Sequence, residues 1–236
     1  MRKVYAHQPP VSETPHTIMR VLEKARKGEL FNDDGRFGYV RPSDFRVLKQ
    51  LDTIMTDLGR KIETVYYPGS SADVGPLFAL EHANHFTYQE SDNIIKNIPS
   101  ALAHLSPQYV TTPIKVYHNN GSRVAQIPLK INRSPFLGRA EPNFQDVRLV
   151  LLENSDVTEE SASSIHDADL IFGNNTLISE NLIADAKSGA MLFDHNGIGL
   201  DHFAIKDNPR LIEEYGLSER VITHPEDRFA KIYIKK

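Results

Sequence analysis

The turn Pro68-Gly69-Ser70-Ser71-Ala72-Asp73 is the first stretch of this chain whose residue types imply chemistry. It follows a strand-like run, Ile62 to Tyr67, and leads into a helix-like segment. Small side chains let a ligand approach the backbone there, and the free N–H groups at a helix start can hold it. Glu90 follows Gly69 by about twenty residues, the spacing at which a carboxylate takes ribose hydroxyls in dinucleotide-type folds. Asp92 is the alternative at the same strand end. Together these residues point to a site for a nucleoside-type ligand.

A second constellation is the pair Asp194-His195 and its repeat Asp201-His202, flanking Asn196-Gly197-Ile198-Gly199-Leu200. Four oxygen and nitrogen ligands of this kind can gather round a metal, although the spacing is not a standard ligand pattern. His195 alone could act as an acid or base. A surface loop with incidental histidines is the plainer reading.

Other chemistries are excluded or weakened. The chain has no cysteine, so disulfides, thiolate metal sites and cysteine nucleophiles are ruled out. No Gly-x-x-x-x-Gly-Lys-Ser/Thr loop occurs, and no Gly-x-Ser-x-Gly elbow supports Ser70 or Ser71 as a hydrolase nucleophile. Asn32-Asp33-Asp34-Gly35 lacks the later glutamate of a calcium loop. The net charge of -4 disfavours nucleic acid as the main partner. The N-terminus lacks a signal-like apolar core and no run has membrane-span length, so a soluble cytoplasmic protein is expected.

The elements that must position these residues read as follows. Residues 1–60 form a helical cap. One helix starts at Thr14 or Thr17 and runs to about Lys27; a second opens at Pro42-Ser43-Asp44 and stops at Gly59. Phe45, Leu48, Leu51, Met55 and Leu58 give the second helix an apolar face. The aromatics Phe37 and Tyr39 between the two helices either pack them down or shape a pocket. From Lys61 the chain alternates: a strand, a helix from about Asp73 to Ala83, a strand His85 to Glu90, and a helix from Ser91 or Asp92 to about Leu105. The segment at about 110–145 contains two strand-like runs round His118-Asn119-Asn120-Gly121, an inserted hairpin or an antiparallel edge. Val147 to Leu152 reads as a buried strand and Asp169 to Gly173 as another. A helix from about Ser179 to Lys187 and a strand Ala190 to Phe193 come next. A short helix, Leu211 to Tyr215, precedes a final antiparallel pair, Arg220 to His224 and Phe229 to Ile234. The expected fold is α/β, a Rossmann-like three-layer sandwich over residues 61–236, mostly parallel with an antiparallel C-terminal edge.

At this level the sequence resembles the class I S-adenosylmethionine-dependent methyltransferases. The resemblance rests on the strand–turn–helix at 65–73, on Tyr88-Gln89-Glu90-Ser91-Asp92, on Asp169-Leu170-Ile171-Phe172-Gly173-Asn174-Asn175, and on the closing strand pair. That family's turn reads acidic-x-Gly-x-Gly-x-Gly. Here Tyr67 stands at the acidic position, Gly69 at the first glycine, Ser71 at the second and Asp73 at the third. Asp73 would oppose a pyrophosphate, which disfavours NAD or FAD and suits a sulfonium cofactor. The resemblance implies S-adenosylmethionine as cofactor and no metal, with Tyr67, Gly69, Ser71, Asp73, Glu90, Asp92 and Asp156 about it and Asn154 as the alternative near the adenine. Asn174 and Asn175 would face the transferred methyl, with His195 as acid or base. The acceptor is left open. Two other readings stand beside methyl transfer: a methyltransferase-like binding or regulatory protein without catalysis, and another Rossmann-like enzyme with a metal at 194–202.

Overall fold

The strand-forming runs assemble into one nine-stranded sheet. The computed structural model describes residues 42–70, 74–90, 102, 110, 117–118, 124–137, 139–153, 159–173, 179–194, 205, 208–224 and 228–236. Its strands are β1 (Thr64–Pro68), β2 (His85–Glu90), β3 (Tyr117–His118), β4 (Val124–Asn132), β5 (Phe144–Glu153), β6 (Leu170–Gly173), β7 (Met191–Asp194), β8 (Leu217–His224) and β9 (Arg228–Lys235). Their order across the sheet is β3-β4-β5-β2-β1-β6-β7-β9-β8. The five central strands, β5 to β7, pair in parallel, while β4 and β9 run against them. The fold is therefore the expected Rossmann-like α/β sandwich. The closing pair is present, with β9 inserted antiparallel between β7 and β8.

The 110–145 segment is an antiparallel edge to the sheet. His118 is not part of the turn but pairs with Ala125. The β4–β5 ribbon then runs the full length from Val124↔Leu152 to Asn132↔Phe144. Only one of its faces is covered. Val147, Leu149 and Leu151 are buried with Ile127, Leu129 and Ile131, whereas Asp146 and Arg148 are exposed. On that open face Arg148 donates to Gln126 and Lys130 pairs with Asp146, cross-strand contacts that hold the register. Within the run read as a buried strand, Val147, Leu149, Leu151 and Leu152 are buried, Val150 is half-buried and Arg148 is exposed.

Six described helices flank the sheet: α1 (Pro42–Asp57), α2 (Gly75–Ala79), α3 (Ser134–Leu137), α4 (Glu159–Asp167), α5 (Glu180–Asp185) and α6 (Leu211–Glu214). Helix α1 buries Val47, Leu48, Leu51 and Met55 in the core that holds Val65, Leu77 and Phe86. Leu58, assigned to that face from its spacing, lies beyond the helix and is 43% exposed. The chain leaves α1 through a left-handed Gly59 (φ 70): Gly59 N donates to Thr56 O, and Arg60 N donates to Met55 O. Helix α2 is much shorter than the 73–83 span expected. Pro76 sets its start, and the chain turns extended at Leu80. On the opposite face Tyr66, Ile165, Ile171, Leu182, Ile183 and Leu192 form a second apolar cluster under α4, α5 and α6. The helix read over 14–27, the link 31–41 and most of the helix read over 91–105 lie outside the described residues; Leu102 is helical and buried. No described helix is long and apolar enough to cross a membrane.

The short α2 is anchored at its end by a buried cation. Arg133, fully buried, donates to the carbonyls of Leu77, Glu81 and Ala83 and to Gln145. Leu77 O is one of the carbonyls that the end of α2 leaves without an internal partner. Nearby, Asp52 of α1 accepts the Glu81 N–H at 2.9 Å. Burial raises the Asp52 carboxyl above its ordinary value, outweighing that hydrogen bond and the nearby His82 and Arg133. A raised carboxyl pKa means that the folded state holds the proton more tightly than the unfolded chain. Its contribution favours folding at low pH and is lost as pH rises through the folded value. Asp52→Asn keeps an acceptor for the Glu81 N–H and removes the charge. It is expected to flatten the stability curve from about pH 4 upward, read by urea unfolding at several pH values. A curve superimposable on the wild type would reject this account of Asp52.

Candidate functional site

Parallel strands β1 and β6 are neighbours, yet the chain leaves them in opposite directions across the sheet: β1 connects onward to β2, and β6 to β7. Such a switch point opens a crevice at the carboxyl ends of the strands, where ligands bind in open α/β sheets. At this edge stands the Gly69 turn. Gly69 adopts φ 62, a left-handed conformation that a glycine takes without a Cβ clash. Its N–H donates to Gln89 O at 2.9 Å, and the N–H of the buried Ser70 reaches the same carbonyl at 3.3 Å. The corner is therefore pinned to the end of β2. Helix α2 begins only at Gly75 and has five residues, so its dipole adds little; the turn itself makes the corner.

Glu90 ends β2, half-buried, one residue beyond that carbonyl. It lies in register with Glu153 at the end of β5. Gly69 and Glu90 thus lie at the ends of adjacent parallel strands. Tyr67 behaves otherwise than a polar residue at its position would. It is fully buried, packed edge-on against Tyr88 (centroids 5.1 Å apart) and Phe172 (4.7 Å). Its ring belongs to the apolar core on the α1 face of the sheet.

The remaining residues singled out from sequence lie outside the described residues: Ser71, Asp73, Asp92, Asn154, Asp156, Asn174, Asn175, His195, Asp201 and His202. The chain places several of them directly beyond strands of this edge. Asn174 follows β6 and His195 follows β7, whose ends Gly173 and Asp194 are in register. Among the described residues no group of three His, Asp or Glu is disposed to hold a metal.

Asp169, the acidic residue that opens the 169–175 motif, sits at the other end of the sheet. Its Oδ2 accepts the N–H groups of Glu63 and Thr64, both at 2.9 Å, and its Oδ1 pairs with Lys187 at 2.6 Å. It ties the start of β1 to β6 and stands away from the Gly69 corner. The sequence reading also passed over Tyr66 and Gln89, a bonded pair directly beneath the turn. A tyrosine inside an apolar strand and a glutamine one residue from a strand end were the available signals.

No family model and no curated protein matches the chain. Among solved structures it is similar to a methyltransferase from Pyrococcus furiosus, at 14% identity over 94% of this chain and 99% of that one, with a TM-score of 0.46. It is similar to T. thermophilus 16S rRNA N2 G1207 methyltransferase at 12% identity and TM-score 0.44, covering 84% of this chain and 44% of that one. The chain thus spans under half the length of that protein. Synechocystis magnesium protoporphyrin IX methyltransferase gives 9% identity and TM-score 0.43, over 96% and 100% of the two chains. The sheet has five parallel strands that switch direction between β1 and β6, with the antiparallel β9 between β7 and β8. The fold is a Rossmann-like α/β sandwich. The β3–β4 ribbon lies outside β5, at the edge of the sheet remote from β8.

Proposed function

We propose that this protein is an S-adenosylmethionine-dependent methyltransferase. The observation that carries the reading is the Gly69 turn, hydrogen-bonded to the residue that precedes Glu90, at the switch point of the sheet. In this reading Gly69 and Ser71 line the methionine part of the cofactor. Glu90 takes the ribose hydroxyls, with Asp92 beside it, and Asn154 or Asp156 edges the adenine. Asp73 stands near the sulfonium side, where a carboxylate is favourable and a pyrophosphate would be repelled. Asn174 and Asn175 face the transferred methyl, with His195 available for an acceptor proton. Bound S-adenosylmethionine supplies an activated methyl group, so the protein's own work is positioning and exclusion of water. A base is needed only if the acceptor must lose a proton. Residues 1–60 serve as a cap over the domain formed by residues 61–236.

Calorimetry with S-adenosylmethionine and S-adenosylhomocysteine tests the reading. Binding is expected, and Glu90→Ala is expected to weaken it by about tenfold or more through loss of charge-assisted hydrogen bonds. An absence of heat at millimolar ligand sinks the cofactor; an unchanged affinity in the variant sinks the role of Glu90.

Burial of Tyr67 favours a second reading, a methyltransferase-like binding or regulatory protein. The turn lacks the family's acidic residue, and an aromatic core side chain replaces it. Binding without formation of S-adenosylhomocysteine, over a panel of small and macromolecular acceptors, would favour this second reading.

A further inference from the structure

Beneath the Gly69 turn lies a buried polar pair that the roles above leave unused. Tyr66 registers with Thr87, and Pro68 with Gln89, so Tyr66 and Gln89 are diagonal neighbours on one face of the sheet. Tyr66 is fully buried and Gln89 nearly so. The Tyr66 hydroxyl donates a short hydrogen bond to Gln89 Oε1. Burial pushes the phenol pKa far up, so the group remains a donor. Tyr66 belongs to an apolar cluster with Ile165, Ile171 and Ile183 among its members. Two apolar side chains of the same shape would fill this space without desolvating polar groups. Packing alone therefore does not account for the pair.

The main chain of Gln89 shows what the pair can do. Its carbonyl accepts both the Gly69 and the Ser70 N–H, at 2.9 and 3.3 Å, and the next residue is Glu90. We propose that Tyr66 and Gln89 are positioning residues of the cofactor site: their side-chain bond fixes the Gln89 peptide, and through it both the glycine turn and the Glu90 carboxylate. The proposal rests on the S-adenosylmethionine reading. The groups meant for the methionine and ribose ends of one ligand then hang from a single residue. A small shift of that peptide would displace both at once, and binding sites tolerate such looseness poorly.

The test uses S-adenosylhomocysteine calorimetry and thermal unfolding on the full chain, with Tyr66→Phe and the double variant Tyr66→Phe/Gln89→Leu. Tyr66→Phe leaves Gln89 Oε1 without its hydroxyl donor, and is expected to lower both stability and affinity, the latter about tenfold. The double variant removes both polar groups. It is expected to regain most of the stability while affinity stays low, because packing returns but the peptide is no longer fixed. A merely structural pair would let affinity recover with stability, and that result overturns the proposal. So does a Tyr66→Phe protein that binds like the wild type. If Tyr66→Phe does not fold, the double variant's affinity decides by the same criterion. Wild-type protein that binds no S-adenosylhomocysteine is a different failure, since it removes the cofactor reading itself.

Discussion

Arg133→Met is expected to destabilise the fold by about 3–5 kcal/mol, the scale seen when one member of a buried charged network is removed. The side chain is fully buried, yet it is surrounded by acceptors: three main-chain carbonyls and Gln145 Oε1. Burial lowers its pKa to about 10, partly offset by Asp52 and Glu81, so it still carries its charge at neutral pH. Methionine fills much of the volume but donates nothing. The carbonyls of Leu77, Glu81 and Ala83 would then lose their cationic donor in the interior, at a cost of about 1–3 kcal/mol for each group left unpaired. Asp52 would lose the nearby Arg133 charge, which partly offsets the burial of its carboxyl. Lysine would not rescue the variant, because its three donors sit on one atom and lack the planar reach of a guanidinium. Urea unfolding at neutral pH reads the difference directly. A loss below about 1 kcal/mol would mean that water replaces the guanidinium there, and the anchor would have to be abandoned.

The contrast between Gly69 and Arg133 shows which features were legible in the sequence. Gly69 announces itself locally: a strand-like run, then small residues, then a helix-like pattern. The structure gives it a left-handed turn at the end of β1. Glu90 is legible for the same reason, since strand β2 runs over the residues its pattern implies, His85 to Glu90. Arg133 looks like a loop residue in Asn132-Arg133-Ser134-Pro135. Its partner Leu77 is 56 residues away, and nothing near it in sequence hints at burial. Helix α4 was missed because Glu159-Glu160-Ser161-Ala162-Ser163-Ser164-Ile165-His166-Asp167 shows no apolar stripe; only Ile165 among its described side chains is buried. Tyr66 and Tyr67 are adjacent and alike in a strand, and period-two alternation puts them on opposite faces. Which of the two lies beside Gln89, and which joins Tyr88 and Phe172, depends on the parallel register of β1, β2 and β6, which no local pattern encodes.

Asp169→Ala is expected to cost about 2–4 kcal/mol of stability, from hydrogen bonds between a charged acceptor and two main-chain donors. It is also expected to leave the S-adenosylhomocysteine affinity of the folded protein unchanged. The motif 169–175 invites the opposite outcome, because a carboxylate beside a strand of a ligand-binding sheet reads as part of the site. Position along the strand decides the matter. Asp169 precedes β6, and its Oδ2 accepts from Glu63 and Thr64 where β1 begins, whereas the Gly69 turn and Glu90 lie where β1 and β2 end. The four residues of β6 lead from Asp169 to the strand's far end at Gly173. Strands rise roughly 3.3 Å per residue, which puts these two positions on opposite edges of the sheet. The pair with Lys187 adds little, since the lysine is 35% exposed and such pairs are screened. Asp169→Asn retains an oxygen that can accept from both N–H groups, without the charge, and should lose less than the alanine variant. Unfolding midpoints and calorimetry on the three proteins separate stability from binding. An affinity that falls in Asp169→Ala well below its melting temperature would bring this carboxylate into the site, and the division between the two sheet edges would fail.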